Sequence, residues 1–267
     1  MHAASREALV TVRETVASVT SDAGLDVASG LFAVVGMLDG ERTLRRTLAD
    51  GSTDPADRAD LIRRLLDGKV NEGALSIVVK AVEQQWSSSA DLVNALELVA
   101  REVVLHQAQQ DGDLDTIEDE LFRLGRIVQG SPELEQTLGD RSADTKRKRE
   151  LVATLIEGKS TKSTAVLVDQ LVARQHEGLA DGLESLASLA AQLREKSVAQ
   201  VRSAVALSAE QEQRLAANLS RTYRREVTVH VEVDPALVGG MVIQVGDEVI
   251  DGSIAGRLDA LRRKLTG

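Results

Sequence analysis

The segment Gly158-Lys159-Ser160 carries the residue types of a phosphate-binding site. In a P-loop, a lysine after a glycine-rich turn holds the phosphates of a nucleotide, and the following hydroxyl binds magnesium. The motif also needs a glycine five residues before Gly158, where this chain has Ala153, and a strand leading into the loop. Residues 144–157 have a helical pattern instead, so a glycine that ends a helix is the favoured interpretation. A nucleotide-binding protein built on residues 158–160 is the alternative.

Three aspartates, Asp111, Asp113 and Asp115, have the spacing that opens a calcium-binding loop. Such a loop requires a glycine at its sixth position and a glutamate at its twelfth, where this chain has Thr116 and Phe122. The four histidines stand alone and the chain has no cysteine, so no transition-metal ligand set is recognisable. The sequence therefore predicts no catalytic residues, no metal and no cofactor.

The composition favours helices packed by small aliphatic side chains. Apolar residues make up 43% of the chain but aromatic residues only 1%. The first 195 residues contain 22 basic and 33 acidic residues, a balance of −11, which disfavours nucleic-acid binding because that depends on cations against phosphates. The apolar run at residues 31–38 is too short to span a bilayer, so any membrane association is expected to occur through a partner.

The chain repeats itself at an offset of 90 residues. Residues 44–69 align without a gap on residues 134–159, with ten of the 26 positions identical. Phe32 pairs with Phe122 at the same offset. An internal repeat of this length indicates a duplicated helical unit.

Helix boundary signals recur in both copies. Asp54 and Asp144 are predicted helix N-caps, and Gly68 and Gly158 are predicted to end the same helices. The apolar spacing then predicts further helices at 72–85, 161–175 and 89–110, of which the last closes the first bundle and opens the second. The basic run 146–149 is predicted to be a solvated face, with a docking patch for an acidic helix as the alternative.

After residue 196 the pattern becomes that of a small α/β domain. Alternating apolar residues and turn signals predict strands at 198–207, 227–233, 241–245 and 248–251. Helices are predicted at 209–223 and at 254–266, the latter from the spacing of Leu258, Leu261 and Leu265. Gly246 is the first residue of a predicted two-residue hairpin loop.

These patterns predict a mainly α chain with two tandem helical bundles followed by a small α/β (βαββα) domain. The predicted boundaries are 1–105 for the first bundle, 106–195 for the duplicated bundle and 196–267 for the C-terminal domain.

The ordered string DP-x-L-x-GG, then GD, then VIDGS, near the end of the chain, resembles the C-terminal signature of the δ subunit of bacterial F-type ATP synthases. The mitochondrial equivalent is the oligomycin-sensitivity-conferring protein. The segment V-x-S-A-x-x-L-S at residues 201–208 also matches this family, and the duplicated bundle is similar to the long δ subunits of actinobacteria. The signature residues, expected to be structural, are Asp234, Pro235, Leu237, Gly239, Gly240, Gly246, Asp251, Gly252 and Ser253.

The resemblance implies a stator subunit of the proton-translocating ATP synthase. Such a subunit links the N-terminal helices of the catalytic-head α subunits to the C-terminal region of the b subunit and resists rotor torque. It is not catalytic and binds no nucleic acid, and it lies at the cytoplasmic face of the bacterial cell membrane as a peripheral part of the complex. An unrelated helical scaffold is the other alternative.

The resemblance also implies where the α subunit binds, in a groove between the first and fifth helices of a bundle. The second bundle shares its opening helix with the first, so its equivalent groove is expected to be obstructed, leaving the second bundle as a spacer or brace. The apolar stripes of the first bundle are the candidate partner-binding residues, with a role in the core as the alternative: Leu9, Val12, Val16, Val19, Leu75, Val78, Val79 and Val82.

Overall fold

The computed structural model describes residues 2–254, except for residues 20–23, 141, 175–177, 197, 224–226, 236, 238 and 247. The predicted helix at 254–266 therefore lies almost entirely outside the described residues. The helices are α1 Ala3–Val19, α2 Gly24–Gly40, α3 Arg42–Leu48, α4 Pro55–Leu66, α5 Glu72–Glu83, α6 Ser89–Asp111, α7 Leu114–Gln129, α8 Pro132–Gly139, α9 Thr145–Ile156, α10 Lys162–Arg174, α11 Leu179–Lys196 and α12 Ala209–Tyr223. The strands are β1 Val198–Ser203, β2 Thr228–Val233, β3 Met241–Val245 and β4 Glu248–Asp251.

The chain forms two compact units, Met1–Ser188 and Leu189–Gly267. The first contains α1 to α10 and the beginning of α11, so both predicted bundles, except for residues 189–195, lie within one unit. The second contains the sheet and α12. The prediction of a mainly helical chain with a small α/β domain at its end is confirmed. No described helix is both long enough and apolar enough to cross a membrane.

The internal repeat of the sequence is also a repeat of structure. Five helices begin 90 residues before a counterpart later in the chain. The pairs are α2 and α7, α3 and α8, α4 and α9, α5 and α10, and α6 and α11. At the same offset α1 corresponds to residues 93–109, which lie inside α6. We therefore call α1–α5 the first repeat and α6–α10 the second, with α6 packed against helices of both.

The loop before α4 and the loop before α9 are built alike. The Asp54 carboxylate accepts a hydrogen bond from the backbone N–H of Ala56 at 2.8 Å, and Asp144 accepts one from Lys146 at the same distance. Both aspartates therefore cap their helices as predicted. Gly68 and Gly158, just after the two helices, have φ of +65° and +68°, a conformation that glycine adopts without strain.

The two caps give a matched pair of stability predictions. We expect Asp54→Ala and Asp144→Ala each to lower the free energy of unfolding by about 0.5–2 kcal/mol, because each leaves a helix N-terminal N–H without its acceptor. Urea unfolding followed by circular dichroism measures both. Asp57→Ala, in an exposed position of the first turn of α4, is the control and should cost less. Equal losses for all three variants would contradict the capping assignment.

A buried cation closes the same loop in each repeat. Arg58 is 1% exposed and donates from Nη1 to the carbonyl oxygens of Leu48 and Gln84, at 3.3 and 3.0 Å. Its counterpart Lys148 is 3% exposed and donates to the carbonyl of Asp140. The basic run 146–149 is thus not a uniform surface patch, since one of its members is committed to the loop.

The sheet of the C-terminal unit has the strand order β2-β1-β3-β4. Strand β1 pairs in parallel with β2, across the connection through α12, and antiparallel with β3, while β3 and β4 form an antiparallel hairpin. All four strands were predicted individually, but the shorthand βαββα contains only three. Strand β2 is a separate strand that precedes the β3–β4 hairpin. The core beneath the sheet consists of Ala199, Val201, Leu219, Val227, Ile243 and Val245.

Candidate partner-binding surfaces

The apolar stripes predicted to bind a partner helix lie mostly inside the N-terminal unit. Helices α1 and α5 pack against each other, and both stripes contribute to their shared core. Among the eight residues, Leu75 is half-buried, and the side chain of Val19 lies outside the described part. The other six are 0–8% exposed: Leu9, Val12, Val16, Val78, Val79 and Val82.

An apolar residue that the sequence pattern did not single out lies on the outer face of α1. Val10 is 55% exposed, and Glu7 and Glu14 on the same side of the helix are exposed as well. Residues 3, 7, 10 and 14 follow the spacing of one helix face. We call this stripe the outer face of α1.

The corresponding face of α6, in the second repeat, is buried. At an offset of 90, residues 3, 7, 10 and 14 correspond to Val93, Glu97, Ala100 and Val104 of α6. All four are buried, with exposed fractions between 0 and 8%. The same helix face is therefore bare in one repeat and covered in the other, a difference that only comparison of the two folded repeats makes visible.

Helix α2 lies against both α6 and α10. Its contact with α6 is the most extensive helix pair of the described structure, and it also touches α10, which itself packs on α6. Ser29 of α2 lines a cleft beside the beginning of α10, and Asp39 near the end of α2 binds Arg174 at the end of α10. Helix α2 thus runs alongside α10.

Arg174 joins these three helices through a largely buried set of polar contacts. Its guanidinium donates to both carboxylate oxygens of Asp39, to Glu97 and to the side-chain oxygen of Asn94. The Arg174 and Glu97 side chains are 11% and 10% exposed. Arg101 binds Glu97 as well, at 2.8 Å. We call Arg174, Asp39, Glu97 and Asn94 the junction network.

The segment Gly158-Lys159-Ser160 follows a helix, not a strand. The N–H of Lys159 donates to the carbonyl of Ile156 at 3.0 Å, and the hydroxyl of Ser160 donates to the same carbonyl at 3.3 Å. A P-loop requires a strand that leads into the phosphate-binding turn. The segment is therefore the end of α9, which disfavours the nucleotide-binding alternative.

The cleft beside this segment has a volume of about 750 Å³ and lies between α9 and α10, with Ser29 at its edge. Arg149 and Asp169 form an ion pair on its wall, with two N–O distances of 2.5 and 2.6 Å. The hydrogen bonds that Arg149 donates to the Asp169 carboxylate raise the pKa of Arg149. The Glu120 carboxylate accepts hydrogen bonds from the N–H of Thr161 at 3.0 Å. Arg149 and Asp169 thus neutralise each other on this wall, and Glu157 and Lys162 also line the cleft.

The aspartates of the calcium-like spacing lie at the junction of α6 and α7. Asp111 ends α6 and accepts a hydrogen bond from Gln107 at 3.0 Å, while Asp113 precedes α7 and Asp115 lies in its first turn. Among the described residues, no group of three or more His, Cys, Asp or Glu side chains is arranged to hold a metal ion.

The signature glycines of the C-terminal unit mark a close approach between two chain segments. Gly240 has φ of +84°, and a Cβ atom there would lie 2.5 Å from the carbonyl oxygen of Gly252 and 2.9 Å from Cα of Ser253. The N–H of Ile254 donates to the carbonyl of Gly239, and that of Gly252 donates to the carbonyl of Met241, both at 3.0 Å. Residues 239–241 and 252–254 are therefore held together by backbone contacts.

The remaining signature residues make the turns around this contact. The N–H of Asp234 donates to Ser203 at 2.8 Å, and the N–H of Leu237 donates back to Asp234 at 3.1 Å, around the exposed Pro235. Gly246 has φ of +59° at the start of the β3–β4 turn. In the described part of the chain these residues hold the backbone of the C-terminal unit.

Asp251 makes this turn sensitive to acid. Hydrogen bonds from the hydroxyl and the N–H of Ser253 lower the pKa of Asp251, because both favour the charged carboxylate. A carboxyl whose pKa is lower in the folded state stabilises the fold above its unfolded pKa of about 3.9, and this stabilisation is lost as the pH falls through the folded pKa.

We therefore expect Asp251→Asn to weaken the acid dependence of the C-terminal unit. The variant should be less stable at neutral pH and lose less stability between neutral pH and acid. Tyr223, the only tyrosine, reports this unit, and Trp86, the only tryptophan, reports the other. The control is Asp140→Asn, because Ser142 lowers the pKa of Asp140 in the same way and that change should affect only the Trp86 signal. Identical acid limbs for the wild type and Asp251→Asn would contradict the assignment.

Comparison with known proteins identifies the family. The family model described as ATP synthase delta (OSCP) subunit matches residues 102–265. The ATP synthase subunit delta of Rhodococcus opacus is 48% identical, with 99% of each chain covered. That of Nocardia farcinica is 46% identical, over 99% of this chain and all of the relative, and that of Streptomyces coelicolor is 45% identical, over 99% and 98%. The chain belongs to the ATP synthase delta (OSCP) subunit family, in agreement with the resemblance of its C-terminal signature.

Proposed function

We propose that this protein is the stator adaptor of an F-type proton-translocating ATP synthase. It links the α subunits of the catalytic head to the b subunit and resists the torque of the rotor, and it has no catalytic activity of its own. Family membership and relatives that match along almost the whole chain support this assignment. As part of the complex it lies at the cytoplasmic face of the cell membrane.

The α-subunit helix binds to the first repeat, between α1 and α5. The observation that carries this proposal is the outer face of α1, where Val10 is exposed although its counterpart Ala100 is fully buried. An amphipathic partner helix that buries Val10 would complete the first repeat in the same way. Because six of the eight residues predicted from the sequence are core residues, they support this surface from beneath, and Val10 is the residue in contact.

The charged side chains beside Val10 are of both signs. Glu7 and Glu14 are exposed next to it, and so are Arg6 and Arg13. The partner helix is therefore expected to contact this face through its apolar stripe, with charges of both signs at the rim. The bundles 1–105 and 106–195 then have different roles: the first binds the head and the second braces it, while residues 196–267 bind the b subunit.

Purification from native membranes tests the proposal. With a mild detergent and an affinity tag on this chain, we expect the α, β and b subunits to co-purify, while the isolated chain should hydrolyse no ATP above background. A tagged chain that brings down none of these subunits, or that hydrolyses ATP by itself, would refute the proposal.

A further inference from the structure

We infer that helix α2 of the first repeat permanently occupies the partner groove of the second repeat, so that each chain offers a single groove to a partner helix. The inference rests on the proposed function for the identity of the groove. It goes further by naming what fills the second groove and which residues keep it filled.

The internal repeat defines where the second groove must lie. The counterparts of α1 and α5 are α6 and α10, so the groove between α1 and α5 corresponds to one between α6 and α10. Helix α2 contacts both of these helices. It also makes the most extensive contact with α6, on which Glu97, Ala100 and Val104, the counterparts of the outer face of α1, are buried. A helix that lies against two neighbouring helices is also the arrangement proposed for the external partner.

The two equivalent phenylalanines agree with this arrangement. Phe32 of α2 is 4% exposed, whereas its counterpart Phe122 of α7 is 59% exposed. Helix α2 is followed by a second repeat whose α10 it contacts, and α7 has no third repeat to contact. The repeats therefore pack in a directional series in which a helix of the first fills the groove of the second.

The junction network is specific to this contact and is not part of the repeated fold. At the offset of 90, Arg174 corresponds to Gln84 and Asp39 to Gln129, while Glu97 corresponds to Glu7 of α1. The first repeat therefore keeps one carboxylate at this place but lacks the arginine that joins the network. A largely buried guanidinium that binds two carboxylates at once is costly to separate from them, because Arg174 would then be buried without its partners, although Glu97 keeps Arg101 and Asp39 keeps Arg45. The network therefore holds α2 in the groove and fixes the first repeat rigidly against the second.

Arg174→Glu tests the inference in the full-length chain, because it places a third carboxylate between Asp39 and Glu97. By hydrogen exchange we expect the amides of α10 to exchange at least about tenfold faster, including those near Lys162 at the far end of the helix. The control is Arg149→Glu, which breaks the more exposed ion pair with Asp169 between α9 and α10 and leaves the junction network intact. Arg174→Gln is the milder variant to use if the charge reversal prevents folding, and circular dichroism verifies that each variant is folded.

Binding stoichiometry supplies the second measurement. Calorimetric titration of the wild-type chain with a synthetic peptide of the cognate α-subunit N-terminal helix should give one peptide per chain. Two peptides per chain would overturn the inference while supporting the proposed function. No binding would refute the proposed function and leave the exchange experiment to decide on α2. Faster exchange confined to the last turn of α10, or equal for Arg174→Glu and Arg149→Glu, would overturn the inference.

Discussion

Val10→Asp is expected to abolish most of the binding of the α-subunit helix without unfolding the protein. The side chain is 55% exposed in the free chain, so a carboxylate there remains hydrated and the fold is retained. When the partner helix covers the position, the carboxylate loses its water against the apolar stripe of that helix. Burying a charge in this way costs several kcal/mol, or about two orders of magnitude in Kd at ~1.4 kcal/mol per tenfold.

The measurement is a titration of the wild-type and variant chains with the synthetic α-subunit peptide. Ile127→Asp is the matched control, because Ile127 is 56% exposed on α7 of the same unit and lies outside the proposed groove. Val12→Asp is the opposite control, since Val12 is fully buried and its replacement should unfold the first repeat. If Val10→Asp and Ile127→Asp bind the peptide as tightly as the wild type does, the outer face of α1 is not the binding site.

Gly240→Ala is expected to cause the largest loss of stability of any single methyl group added to the described C-terminal unit. The new Cβ atom would require a left-handed backbone conformation and would lie 2.5 Å from the carbonyl oxygen of Gly252, which is backbone and cannot rotate away. The strain and the displacement of residues 252–254 together are expected to cost about 2–4 kcal/mol. The Tyr223 signal should follow this loss in a denaturant titration.

Gly112→Ala separates the cost of the left-handed backbone conformation from the cost of the steric clash. Gly112 also has a positive φ, of +78°, but a Cβ atom there would meet nothing within 4 Å. Its replacement is expected to cost only about 1 kcal/mol, observed through Trp86 in the N-terminal unit. Similar losses at both positions would mean that backbone conformation, and not the close approach of residues 240 and 252, explains the glycine of the signature.

Local chemistry explains why much of the fold was predictable. The caps at Asp54 and Asp144, the glycines after α4 and α9, and the hairpin β3–β4 depend on residues within one turn of each other, so the sequence alone identifies them. The repeat offset of 90 likewise predicted which helices would be equivalent, and their first residues agree with it.

Which residues of the candidate site are buried could not be predicted from the sequence and is seen only in the tertiary structure. The apolar stripe containing Leu9, Val12 and Val16 predicts a helix with one buried face, but it does not distinguish a core from a partner groove, because both require the same side chains. Val10 interrupts that stripe and has no signal of its own in the sequence. It became a candidate only because its counterpart on α6, Ala100, is fully buried in the folded chain.

The sequence by itself determined the family, the duplication and the type of each element, since these depend on ordered motifs and local hydrophobic periodicity. Only the tertiary structure decided that α2 lies across α6 and α10 and that Arg174 meets Asp39, which is 135 residues away along the chain. Such contacts depend on how whole helices pack, and the pairing of distant charges follows from that packing. For this reason the sequence could predict two similar repeats but could not say which of their two equivalent grooves is open.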